Sequence, residues 1–77
     1  MNKTRRTALT KLSEQLENIK SEIEQLRDEE QEYLDNMPES LQSSEKATNA
    51  ENAISDMDDV ANSLEEAMSS LEQSQNY

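Results

Sequence analysis

EEQEYLDNMPES, residues Glu29–Ser40, stands almost midway along a chain that contains no glycine. Its single proline, Pro38, cannot lie inside a continuous helix without losing a backbone hydrogen bond and clashing with the preceding turn. Asp35 and Asn36 just before it are residues that cap helices or tolerate left-handed backbone where glycine is missing. The stretch therefore reads as a helix break. Whether it is a plain turn or a working part depends on what flanks it.

On the N-terminal side, Leu9, Leu12, Leu16, Ile19, Ile23, Leu26, Glu30 and Tyr33 advance in alternating steps of three and four, the a/d repeat of a coiled-coil helix. On the C-terminal side, Ala47, Ala50, Ile54, Met57, Ala61, Leu64, Met68 and Leu71 repeat the same steps. Two matched seams joined by a break predict an all-α chain, an antiparallel two-helix coiled-coil hairpin, with one helix over about 4–34, a turn over 35–44 and a second helix over 45–75, all one domain spanning 1–77. If the halves fold back about residues 39–41, the numbers of facing residues sum to 80, so that Leu16 meets Leu64 and every layer joins an a with a d position. Taking Leu9 and Ala47 as a positions, Lys20 and Arg27 at e face Glu51, Asp58 and Glu65 at e of the other helix, and Glu29 at g meets Lys46. Exposed pairs of this kind select orientation more than they stabilise. Gln15–Lys20 and Glu22–Arg27 also fit a parallel dimer of the first helix, the competing arrangement.

Composition narrows the possible work. With 77 residues, 31% of them hydrophobic, two tyrosines and neither Phe nor Trp, a lone hairpin buries little apolar surface. The second helix carries Lys46, Ala53, Val60 and Ala67 at g positions, the last three an apolar stripe that Gln15, Glu22 and Glu29 of the first helix do not match. Small scaffolds without staples commonly oligomerise, so a homodimer closing a four-helix bundle through Ala53, Val60 and Ala67 is expected. The bland reading of those alanines is helix propensity on a solvated face.

No cysteine and no histidine exclude disulfides and the usual zinc, iron and copper sites. The stretch DMDDVANSLEEA resembles an acidic calcium loop only superficially, since it lacks the glycine and falls on the helical seam. No glycine means no phosphate-cradling loop, and the serines have no histidine to activate them. Pairs such as Asp28/Glu32 and Asp56/Asp59 share helix faces, but acid–base chemistry needs a cleft that a thin hairpin does not offer. No catalytic activity, cofactor or metal is expected. The first 25 residues lack the apolar core of a secretory signal and no eighteen-residue apolar run occurs, which predicts a soluble, cytoplasmic protein.

Net charge is −11, and residues 12–77 hold three bases against all eighteen acids, a net of −15. Such a body repels nucleic acid and anionic membranes, so neither is an expected direct partner. The basic start, Lys3, Arg5, Arg6 and Lys11, precedes a leucine repeat in the order of a bZIP protein, but lacks the Asn/Ala/Arg pattern of its basic region. The plainer reading sets Lys3, Arg5 and Arg6 beside the C-terminal end of the second helix, opposing its dipole and Glu72.

At the break, Glu29, Glu30, Gln31, Glu32, Tyr33, Asp35, Asn36, Met37, Pro38, Glu39, Leu41, Gln42, Ser44 and Glu45, with SLEEAMSSLE further on, resemble a segment of small, acidic helical proteins of phages and prophages of Gram-positive bacteria. Related sequences often place glycine soon after the SE pair, where this chain has Ala47 or Thr48. That family has no assigned chemistry, and the resemblance implies a viral or mobile-element setting. From the setting follows one function class: a phage-encoded inhibitor or DNA mimic whose carboxylates occupy the groove of a basic host defence or nucleic-acid-binding protein. The other class is a structural or adaptor coiled coil whose acidity serves solubility. At the tip, Leu34, Met37 and Leu41 lie past the last regular layer with Glu32, Asp35 and Glu39 around them. Either Met37 and Leu41 fold back as a plug that closes the bundle end on Tyr33, with Asn36 and Ser44 capping helix ends, or the six form an apolar anchor in a polar rim for a partner.

Overall fold

Asn2 opens the first helix: its side-chain Oδ1 accepts from the Arg5 amide at 2.8 Å, satisfying one of the amides a helix start leaves free. In the computed structural model, which describes residues 1–77, helix α1 then runs from Lys3 to Asp35 without interruption, about 50 Å at 1.5 Å per residue. It stops in the last residues before Pro38, where the Asn36 amide bonds to Glu32 O at 3.0 Å and the Met37 amide to Leu34 O at 3.2 Å. Asn36 is the closing residue at φ −89°, ψ 0°, and no residue of the chain has positive φ. Of the two roles open to Asp35 and Asn36, capping is the one used, by Asn36, and left-handed backbone is absent. Right-handed and extended conformations suffice because the reversal is spread over several residues.

Pro38 takes φ −56°, ψ 145°, its preferred extended form, and starts a single 3-10 turn over Glu39–Leu41. Ser44 then caps the second helix, α2, which spans Glu45–Ser74. Its Oγ accepts from the Ala47 amide at 3.4 Å, while Glu45 in the first turn places a negative charge at the positive end of the helix. At the far end, Arg6 Nε donates to Gln75 O at 3.1 Å, so a cation meets the carbonyl end of α2 as the charge layout implied. No ion pair to Glu72 accompanies it.

The two helices pack against each other as an antiparallel hairpin of 59 × 15 × 12 Å, with no third layer. Its buried residues are Met37, Ala47, Ala50, Ile54 and Ala61. On α2 the a row is the inner one, as the a/d pattern requires. On α1 the seam is rotated: the half-buried rows are a (Leu9, Leu16, Ile23, Glu30) and e (Ser13, Lys20, Arg27, Leu34). The expected d row, Leu12, Ile19, Leu26 and Tyr33, is instead between 44% and 56% exposed.

Two helices alone share one line of contact, and three neighbouring rows cannot all be covered by it. The e row takes the inner place because Lys20 and Arg27 lay their aliphatic stems along the seam while their charged heads reach across. Lys20 Nζ meets Glu65 at 2.9 Å and Arg27 Nε meets Asp58 at 3.0 Å. The residue numbers of both pairs sum to 85. Side chains lean toward the N-terminus of their own helix, so across antiparallel helices two tips meet at a sum several higher than their backbone level. The pairs thus agree with a backbone register near 80. The expected Glu29–Lys46 pair does not form because the rotation opens the g edge. Glu51, on the closed e edge, is unpaired because Arg27 and Lys20 are taken by Asp58 and Glu65 and the side chain at its level is Leu34.

Candidate functional site

Three surfaces of the hairpin carry chemistry. Along the closed e edge, carboxylates line both helices, and toward the open end they border a shallow groove of about 490 Å³ walled by Glu14, Glu17, Glu65 and Glu72. The two cations set into this edge are held charged. The hydrogen bond from Lys20 to Glu65, with the nearby Glu24 charge, raises the ammonium pKa above its ordinary 10.5, and the bond to Asp58 likewise raises that of Arg27. Arg27 also touches Asp28 at 3.3 Å. No three acidic side chains lie close enough together to hold a metal ion.

Of the eighteen acids, only Glu22, Glu29, Glu32 and Asp56 occupy c, d or g positions. Nearly all the remaining helical acids stand at b, e and f, so the hairpin is a plate with one acidic side.

The tip is the second surface. Met37 is 8% exposed and closes the end of the seam, where it cannot serve a partner as an anchor. Leu34 is half-buried, and Leu41, at 43%, stands out of the surface. Tyr33 is half-exposed rather than covered by a plug of Met37 and Leu41. Glu32, Asp35 and Glu39 are all exposed around them. Asp35 is oriented by Gln31, whose Nε2 donates to Oδ1 at 2.9 Å. The structure thus divides the six tip residues into a structural Met37, a half-buried Leu34 and an exposed rim of Glu32, Asp35, Glu39 and one apolar side chain, Leu41.

The third surface is the open g edge. Val60 is exposed at 44%, Ala67 is exposed and Ala53 is half-buried. Beside them stands the displaced row Leu12, Ile19, Leu26 and Tyr33. Sequence reasoning placed that row inside the hairpin. The signal that could have found it is the pair of cations at e, since two long stems on one flank of α1 leave the opposite flank uncovered.

No helix is long and apolar enough to cross a membrane. Compared with protein-family models, curated proteins and solved structures, the chain has no match.

Proposed function

We propose that the chain is a non-enzymatic protein-interaction module whose acidic side docks on a basic protein, in the manner of a phage-encoded inhibitor or DNA mimic acting in the host cytoplasm on a defence or nucleic-acid-binding protein. The observation that carries this reading is the segregation of carboxylates to one side of a rod, which gives a directed field rather than diffuse acidity. Magnitude sets a limit on mimicry. A net charge of −11 over 59 Å is roughly one charge per 5 Å, about a third of the linear density of duplex DNA. A single chain therefore steers a basic partner more than it replaces a duplex.

The test is identification of the protein that copurifies with the chain, followed by titration of their binding against salt. The reading expects a basic partner, displacement by duplex DNA, and affinity that falls steeply between about 50 and 200 mM salt. Asp59→Asn with Glu66→Gln, both exposed and unpaired, should weaken binding without loss of helicity. Affinity indifferent to salt and to that double substitution overturns it.

The adaptor reading is favoured by one observation, the exposed apolar row on α1. An adaptor would bind through that row, with salt of little effect and acidity serving solubility.

A further inference from the structure

We infer that the open edge is a self-docking face: a second copy of the chain stacks its own open edge on it and closes a four-helix bundle whose interface unites Leu12, Ile19, Leu26 and Tyr33 of α1 with Ala53, Val60 and Ala67 of α2. The inference stands on the apolar edge alone and requires no basic partner.

Geometry places the two rows together. With α1 turned toward its a and e rows, its d row lies about a quarter turn from the line joining the helix axes. On α2 the inner rows are a and d, so its g row also lies about a quarter turn from that line. Because the helices are antiparallel, these two quarter turns point to the same side. Between the rows, Met57, Leu64 and Leu71 form a half-buried floor. The result is a flat apolar strip two helices wide, which alternates large side chains on α1 with small ones on α2.

Extent comes next. Leu12, Ile19, Leu26, Tyr33 and Val60, each about half exposed, together present on the order of 400 Å² of apolar surface, as large as the largest patch on a typical monomer. The whole two-helix face, 59 by 15 Å between backbone positions, offers roughly 800 Å², the area that one partner of a standard stable interface buries. The hairpin alone also has little core, with five buried residues of which three are alanines. A scaffold of this size with neither disulfide nor metal needs a further apolar layer.

Shape and charge decide the occupant. A single partner helix would cover one row and leave the other wet, whereas a second two-helix face covers both. An isologous contact must be compatible with itself, and most acids point away from this edge. Two copies therefore meet through apolar side chains and Gln15, and their acidic sides face outward. A lipid surface is disfavoured, because Glu22 and Glu29 flank the edge and offset Arg5 and Lys46 at its two ends, and the net charge is −11. Stacked side by side, two copies would carry −22 over the same length, which halves the spacing between charges on the rod.

Sedimentation equilibrium of the full chain tests the inference. The wild type should sediment at twice its 8.8 kDa mass at micromolar concentration. Leu26→Glu and Val60→Glu, one from each row, should each weaken self-association by about 30-fold or more, as for a central interface residue. Glu66→Gln on the opposite side should leave it unchanged. Both sites are exposed in the single hairpin, so circular dichroism should show each variant still helical at concentrations where it is monomeric, and Leu26→Gln repeats the test without adding charge. A wild type of single-chain mass at high micromolar concentration overturns the inference, as does a two-chain mass that survives both Glu substitutions. Salt-sensitive capture of a basic protein by a monomeric wild type would overturn the self-docking face while leaving the acidic-side reading intact.

Discussion

Ile54 is the one large β-branched side chain that the hairpin buries, at 7% exposure in the middle of the α2 seam. Replacing it with alanine removes about three carbons from the seam, worth roughly 0.8 kcal/mol each when buried, or about 2.4 kcal/mol. Alanine returns about 0.4 kcal/mol through its better helix propensity. In a two-helix pair the walls of the site can move together, so the extra cost of an empty cavity is small, and the net loss is about 2 kcal/mol. A chain of 77 residues holds roughly 4–12 kcal/mol in total, so this is a large fraction. Thermal unfolding followed at 222 nm should show the midpoint lower by about 8–16 °C at fixed protein concentration. Gln25→Ala, on an exposed position of α1, is the reference and should stay within about 0.5 kcal/mol. An Ile54→Ala midpoint no lower than that of Gln25→Ala would refute the placement of the seam.

The tip should respond unequally: Met37→Ser costs about 1–3 kcal/mol as a truncated buried side chain, whereas Leu41→Ser moves the midpoint of chemical unfolding by less than about 0.5 kcal/mol. If Leu41 nonetheless abolishes capture of a partner, the exposed tip is a contact. Ser44→Ala removes the α2 cap and should cost about 0.5–1 kcal/mol, the low end for caps because its bond is 3.4 Å long, and the loss should appear in denaturant midpoints. The Lys20–Glu65 bond raises the folded-state pKa of Lys20 above 10.5, so its contribution is present below the unfolded value and fades as pH climbs through the raised one. Stability measured from neutral pH to beyond about 10.5 should therefore decline, and Lys20→Met should flatten part of that decline.

How far the structure could be read from sequence depends on which rows one considers. The three-and-four spacing from Leu9 onward and from Ala47 onward, with Pro38 between, was enough for two helices and a hairpin, because only helical periodicity produces it. The partners of Lys20 and Arg27 were also legible, since opposite charges at e positions of antiparallel helices have few other places to go. The rotation of α1 was not legible in the heptad pattern, and only the cations at e hinted at it. A heptad with apolar residues at a and d describes a strip on one helix, and it cannot say whether the second row faces the same neighbour as the first. Leu26 looks the same in sequence whether it meets Ile54 of its own chain or the edge of another molecule. The tip failed for another reason: Met37 and Leu41 lie outside any repeat, so their burial depends on how a 3-10 turn folds back, which no periodicity records. The acidic side was visible only after the edges were known. Eighteen acids are a composition until the helices are oriented, and then they become a face.

All five buried residues, Met37, Ala47, Ala50, Ile54 and Ala61, lie in or near the half of the rod next to the turn, and none lies beyond residue 61 or before residue 37. Contacts there also close the shortest loops, since residues on either side of the turn are separated by few positions while those at the open end are separated by most of the chain. The entropic cost of each further contact is small once the one before it has formed. The chain is thus arranged as a zipper that starts at the turn and runs outward, with fast folding set by local contacts and an open end that frays while the turn end holds.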